Sequence, residues 1–185
     1  MTRTHMAMMI CTLALTACDG KPGDNKAPQE SASAAPVVAG TPTNVAVTSK
    51  GAPRRADGYW QMNSFTSEGS PMMKQYYCVG ADSEEKYSLF DQLTIMGNCD
   101  KSDFKRTSAG WNFDIQCAIM DQKMAQTGTI VGDFRNSFAM TTSVVENGGS
   151  PRTGRIEGKR VGECPAAFKP GDLVNDAGRK MMNLL

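Results

Sequence analysis

The sequence predicts a mainly β protein: one antiparallel, strongly curved sheet or open barrel of about seven strands, with one short inserted helix. Strand-type segments alternate with turns rich in Gly, Pro, Asn and Ser throughout residues 58–164. A single segment in this range instead repeats apolar residues at helical spacing. We therefore place one β domain at residues 57–165 and treat residues 166–185 as a C-terminal tail.

The clearest strand lies at residues 111–119, where apolar and polar side chains alternate. Its apolar face carries Trp111, Phe113, Ile115, Cys117 and Ile119. This alternation predicts a strand with one buried and one solvated face. The arm before it, residues 100–107, has one aromatic side chain among charges, which is typical of an edge strand.

Five other segments have strand-type composition: residues 58–65, 72–79, 124–131, 134–145 and 153–164. The tripeptide Asn147-Gly148-Gly149 is the strongest turn signal in the chain. The inserted helix is expected over residues 83–95, opened by a capping box between Asp82 and Glu85. In the tail, residues 172–185 are expected to form a weak helix or to fray.

The N-terminus resembles the signal peptide of a bacterial lipoprotein over residues 1–17. A basic residue precedes an apolar run, Met6–Leu15, which is too short for a bilayer span of roughly 20 residues. The run ends in Leu15-Thr16-Ala17-Cys18. The resemblance implies that the Cys18 thiol receives a diacylglycerol and that Cys18 becomes the new N-terminus. Ordinary cleavage near Ala17, or a free Cys18, is the alternative.

Residues 18–56 are predicted to form a flexible, lipid-anchored tether. They are rich in Ala, Pro, Gly, Ser, Thr and Lys and show no apolar periodicity. Such a segment cannot bury enough apolar surface to offset the entropy lost on ordering. An edge strand at Val45–Thr48 is the alternative for part of it.

Four cysteines remain outside the signal peptide and the lipidation site, and an even number in an exported domain implies disulfides. Three pairings are open, and we favour Cys99–Cys117 together with Cys78–Cys164. A loop centred on Ser108 would place Cys99 opposite Cys117. A three-residue loop closed by Gly110 would make the two diagonal, which strains a bridge.

Composition excludes several classes of function. The one histidine is His5, in the signal peptide, so histidine-dependent nucleophiles and metal sites are absent from the mature chain. Arg3 is the one base before Cys18, which leaves 19 basic and 19 acidic residues. This balance gives no reason to expect a nucleic-acid partner. We expect no cofactor and no metal.

Two groups of side chains remain as candidates for chemistry. The first group consists of two candidate pairs of acids, Asp114 with Asp133 and Asp100 with Asp103, although no spacing singles out a catalytic pair. Methionines at Met72, Met73, Met120 and Met124 offer the soft thioether ligands that Cu(I) prefers. Solvated surface acids and ordinary packing methionines are the favoured interpretations of both groups.

Several marks in the domain resemble one family. They are Gly58-Tyr59-Trp60, Tyr77-Cys78-Val79, Cys99, Gly110-Trp111 with Cys117, Gly132-Asp133-Phe134, and the segment from Gly158 to Cys164. This pattern resembles the domain of unknown function 3617, a family of small envelope proteins from Gram-negative bacteria. The resemblance implies a secreted or lipid-anchored β domain and brings no established catalytic residues with it.

The expected function is that of a membrane-anchored envelope lipoprotein that faces the periplasm and serves as a non-catalytic binding or structural module. Its expected partners are the membrane, through the lipid, and an envelope protein or a small apolar ligand. The alternative is an inhibitor of a cell-wall-degrading enzyme, with the loop Gly148–Thr153 as its contact. A hydrolase that uses carboxylates is the third hypothesis. The sequence is compatible with anchoring in either the inner or the outer membrane.

Overall fold

In the computed structural model, which describes residues 44–185, the chain forms one antiparallel sheet of nine strands that does not close. The strands are β1 (Gly58–Thr66), β2 (Pro71–Val79), β3 (Asn98–Arg106), β4 (Trp111–Ile119), β5 (Gln122–Gly132), β6 (Ser137–Glu146), β7 (Arg152–Gly162), β8 (Asp172–Asn175) and β9 (Lys180–Asn183). The predicted signal peptide, Cys18 and most of the predicted tether lie outside the described residues.

The strand order is β3-β4-β5-β6-β7-β1-β2-β8-β9. Strands β3 to β7 form a meander, and β7 returns to pair with β1, the first strand of the domain. The fold class predicted from the sequence is confirmed. The sheet has two strands more than expected because the C-terminal tail contributes β8 and β9.

One face of the sheet carries the hydrophobic core. Along β4 the burial alternates as the sequence pattern predicts, with Trp111, Phe113 and Ile115 buried. Trp60 and Phe138 extend this face across β1 and β6. The helical segment covers it: the Phe90 ring meets the Phe138 ring edge-on, with 4.9 Å between centroids. We call this the covered face.

Two strand glycines make room for aromatic rings on the covered face. Gly158 in β7 lies opposite Phe138 in β6, and Gly128 in β5 lies opposite Phe113 in β4. A Cβ atom on Gly158 would lie 2.1 Å from the Phe138 ring, and one on Gly128 would lie 2.7 Å from the Phe113 ring. The rings therefore lie directly over the glycine backbone, where any other residue would displace them.

The predicted short helical insertion is confirmed, although the segment is divided into three parts. The segment contains α1 (Ala81–Lys86), a 3-10 turn (Leu89–Asp91) and α2 (Gln92–Met96). Ser88 breaks it with an extended backbone and accepts a hydrogen bond from Phe90 N–H through its hydroxyl. The expected capping box between Asp82 and Glu85 does not form. Gly80 precedes the helix instead, and its N–H donates to Ser83 Oγ at 2.8 Å.

The weak helix expected over residues 172–185 is also wrong, because this segment forms the hairpin β8–β9. Gly178 adopts φ 73° in the connecting turn, a conformation outside the α-helical region. Buried Asp172 accepts hydrogen bonds from Lys180 Nζ and Asn183 Nδ2, both at 2.6 Å. Burial alone would raise the pKa of Asp172, but these bonds and one from Lys169 N–H lower it to about 2.

The end of the predicted tether packs on the domain. Residues 44–56, which we call the strap, contain a β-bridge between Val47 and Pro53 and include buried Ala52 and Arg55. The domain boundary drawn at residue 57 is therefore too late. The composition of these residues is typical of a tether. Their burial instead depends on contacts with residues that are distant in the sequence.

The structure joins the cysteines in the predicted pairs, Cys78 with Cys164 and Cys99 with Cys117. The β3–β4 loop contains four residues, which alone would place Cys99 opposite Ala118. A bulge at Asp100 restores the register, so that Cys99 lies opposite Cys117. The other bridge ties the end of β2 to the chain that follows β7, with 5.5 Å between its Cα atoms.

Peptide mapping under non-reducing conditions should recover one linked peptide for each pair. Removing the longer bridge by replacing both Cys78 and Cys164 with Ala should lower the free energy of unfolding by about 2–5 kcal/mol, because the unfolded chain gains freedom. A linked peptide that joins Cys78 to Cys99 would contradict the assignment.

Gly158→Ala should destabilise the domain by about 1–3 kcal/mol, because its methyl group would overlap the Phe138 ring. Gly154→Ala is the matched control, since it lies on the same strand and a Cβ there meets its nearest neighbour, Phe65 O, at 3.4 Å. Urea unfolding of the two variants measures the difference. Equal destabilisation would show that ring packing over Gly158 is unimportant.

Candidate functional site

The predicted acidic pairs do not form a catalytic arrangement. Asp114 makes an ion pair with Lys101 at 2.6 Å on the face of the sheet opposite the covered face. That hydrogen bond lowers the pKa of Asp114, so the carboxylate stays ionised at neutral pH. Asp103 lies 3.9 Å from the same lysine, and Asp100 is the exposed residue of the β3 bulge.

Asp133 is distant from Asp114. The register partner of Asp114 in β5 is Thr127, six residues before Asp133, or about 20 Å along an extended strand. Glycosidase carboxylates lie within about 9.5 Å of each other. The structure therefore keeps these two acids apart.

The methionine candidates are mostly exposed. The exposed fractions are 67% for Met72, 51% for Met73 and 92% for Met120, whereas Met124 is half-buried. The first two lie at the β1–β2 hairpin, beside a cavity of about 300 Å³. In residues 44–185, no cluster of three or more His, Cys, Asp or Glu side chains is arranged to hold a metal ion.

A larger cavity, of about 360 Å³, lies between the strap and the β5–β6 turn. We call it the strap cavity. Its lining consists of Asn44, Val45, Ala46, Arg54, Arg55, Ala56, Asp133, Phe134 and Arg135. The volume falls within the range of ligand sites, about 300–1,000 Å³, and we take it as the candidate site.

Backbone hydrogen bonds hold the two walls of the strap cavity together. Arg54 N–H donates to Ala46 O at 2.8 Å within the strap, and Ala56 N–H donates to Phe134 O at 2.7 Å across to the turn. Phe134 has φ 56°, which is unusual for a bulky residue. Its buried ring packs edge-on against Trp111, with centroids 5.3 Å apart, and this packing holds the strained backbone.

Asp133 organises the turn wall. Its Oδ1 accepts hydrogen bonds from the backbone N–H groups of Arg135, Asn136 and Ser137 at 2.7–3.0 Å. Its Oδ2 accepts one from Asn136 Nδ2 at 2.8 Å. Burial alone would raise the pKa of Asp133, but these donors lower it. The carboxylate thus serves as a structural cap for the turn.

A buried ion pair supports the strap wall. Arg55 and Glu84 are each about 1% exposed in their side chains, and Arg55 Nη2 lies 2.5 Å from Glu84 Oε1. Arg55 N–H donates to the second carboxylate oxygen at 3.0 Å. The guanidinium also lies 5.8 Å from the Trp60 ring centroid and 5.5 Å from that of Tyr77. The strap, α1 and the sheet therefore meet at this pair.

Three weaker contacts continue this attachment along the helical segment. Ser49 N–H donates to Glu85 Oε1 at 3.0 Å, and Lys50 Nζ lies 3.3 Å from Asp91 Oδ2. Arg54 Nη2 donates to the Ala81 carbonyl at 2.9 Å. Burial raises the pKa of Asp91, and the exposed Lys50 only partly offsets this effect.

Sequence reasoning missed the strap cavity. Arg54 and Arg55 lie within the predicted tether, and the acid pattern indicates Asp133 only as a candidate catalytic acid. The available signal was Gly132-Asp133-Phe134, one of the marks shared with the family. The opposite wall of the cavity, at residues 54–56, lies about eighty residues earlier in the sequence, so a local sequence pattern could not reveal it.

Glu84→Gln should destabilise the protein by about 3–5 kcal/mol, because it leaves the buried Arg55 charge without a counterion. Glu85→Gln is the matched control on the same helix, and the loss of its exposed contact with Ser49 should destabilise the protein far less, because solvent screens that contact. Denaturant unfolding compares them. Similar losses in both variants would contradict the central role of the ion pair.

Comparison with known proteins places the chain in a family but gives no activity. No curated protein and no solved structure matches the chain. Within residues 44–185, no helix is both long and apolar enough to cross a membrane. One family model matches residues 55–164, more than half of the chain, and is described as a protein of unknown function, DUF3617. The chain therefore belongs to the DUF3617 family.

Proposed function

We propose that the protein is a lipid-anchored envelope protein whose β domain acts as a non-catalytic binding module facing the periplasm. The observation that carries the proposal is the sequence Leu15-Thr16-Ala17-Cys18 directly after a short apolar run. An anchor of more than one acyl chain gives stable membrane attachment. Both cysteine pairs of the domain suit an oxidising compartment such as the periplasm.

The domain supports a binding role through the strap cavity. Asn44, the first described residue, lines that cavity, so the chain leading from Cys18 enters the domain there. If the intervening residues form a flexible chain, their typical span is about 25–30 Å. The cavity then lies within reach of ligands near the membrane surface.

Cys18→Ser should release the protein from the membrane into the soluble periplasmic fraction, because the thiol that would carry the lipid is lost. Mass spectrometry of the wild-type N-terminal peptide should show a diacylglycerol on Cys18. Cys11→Ser is the matched control within the signal peptide and should leave both results unchanged. An unmodified Cys18, or cleavage at another residue, would refute lipid anchoring.

Inhibition of a cell-wall-degrading enzyme is the second candidate function. The β6–β7 turn is exposed, and Asn147 fastens its base to β5: its side chain accepts from Lys123 N–H, and its N–H donates to Lys123 O, both at 2.8 Å. A rigid exposed turn suits insertion into an enzyme cleft. Lysozyme inhibition that is lost when this turn is altered would favour this function over the binding module.

A further inference from the structure

We infer that the strap cavity binds a small molecule through an oxyanion, that is, a phosphate or carboxylate group. The inference names a ligand class for the proposed binding module and in that respect rests on the proposed function. It does not depend on lipidation of Cys18, so the two can fail separately.

Uncompensated positive charge is the first argument. Arg54 and Arg135 both line the cavity, and within residues 44–185 neither forms an ion pair with a carboxylate. Arg54 uses a single guanidinium nitrogen to reach the Ala81 carbonyl. Its other donors and those of the exposed Arg135 can meet a ligand, and guanidinium geometry suits phosphate and carboxylate oxygens.

The nearby carboxylates cancel only part of this charge. Asp133 is the one acid in the lining, and its two oxygens accept four hydrogen bonds from the turn. Within residues 44–185 Asp133 makes no ion pair with either arginine, and its single negative charge offsets at most one of their two positive charges. Glu84 is paired with Arg55. Hydrogen bonds from Ser49, with a smaller contribution from Arg54, lower the pKa of Glu85, yet Glu85 forms no ion pair with Arg54.

Rigidity of the walls is the second argument. Arg54 and Arg135 adjoin two buried residues, Arg55 and Phe134. The backbone hydrogen bond from Ala56 N–H to Phe134 O fixes the distance between the two walls of the strap cavity. A site on a rigid frame loses less conformational entropy when it binds, which is the physical basis of preorganisation.

The second cavity, at the β1–β2 hairpin, lacks this charge pattern. Its one cation is Lys74, which already makes an ion pair with Asp176 at 2.9 Å. Its other lining residues are Asn63, Ser64, Phe65, Pro71, Met72 and Met73. The oxyanion inference therefore applies to the strap cavity.

The test is calorimetric titration of the full exported chain, purified in non-ionic detergent whether or not Cys18 carries lipid, with three probes: inorganic phosphate, acetate and glycerophosphoglycerol. We expect saturable binding of at least one probe. Arg135→Gln should weaken it about ten-fold or more, because one charge-assisted hydrogen-bonding group is lost. Arg135→Lys should retain part of the affinity. The probe that binds most tightly identifies the source of the oxyanion: inorganic phosphate indicates a free phosphate, acetate a carboxylate, and glycerophosphoglycerol a phospholipid headgroup.

Arg179→Gln is the matched control, because it removes the same charge from an exposed arginine outside the cavity lining. It should leave the affinity unchanged. Arg135 is exposed, so its replacement should leave the unfolding curve unchanged as well. Absence of saturable binding by all three probes up to about 10 mM, well beyond ordinary affinities, would overturn the inference. So would equal affinities of the wild type and Arg135→Gln.

Discussion

The buried ion pair between Arg55 and Glu84 is the interaction on which the rest of the domain depends. It joins three parts that local sequence does not connect: the strap, helix α1 and the aromatic centre of the covered face. A charge withdrawn from water is costly unless its partner is present, so the pair restricts the strap and the helix to one arrangement. That arrangement covers Trp60 and at the same time forms one wall of the strap cavity.

The sheet meets a second constraint, the packing of bulky rings on strands that also bend. Gly158 and Gly128 remove side chains where Phe138 and Phe113 cross their neighbours, and bulges in β2, β3 and β7 absorb changes of register. The bulge in β3 also brings Cys99 opposite Cys117. Local departures from regular strand geometry thus serve both the core and the cross-links.

The candidate site arises where these constraints meet. The β5–β6 turn is shaped by the strained backbone of Phe134 and capped by Asp133, while the strap is held by Arg55. The neighbouring arginines, Arg54 and Arg135, both line the cavity between these two walls.

The sequence alone was enough for the β class and the buried face of β4, because the alternation of apolar and polar residues acts locally. It favoured the cysteine pairing without deciding it, since the bulge at Asp100 that sets Cys99 opposite Cys117 is not visible in the sequence. The same local rules predict the inserted helical segment but not its interruption at Ser88. They also predict a helix in the tail, where Gly178 and buried Asp172 favour a hairpin. They also placed Arg54 and Arg55 in a flexible tether. Only the tertiary structure decided these points, because the burial of a charged or polar segment depends on partners that are distant in sequence. The strap cavity likewise exists only once residues 54 and 135 are brought to the same place.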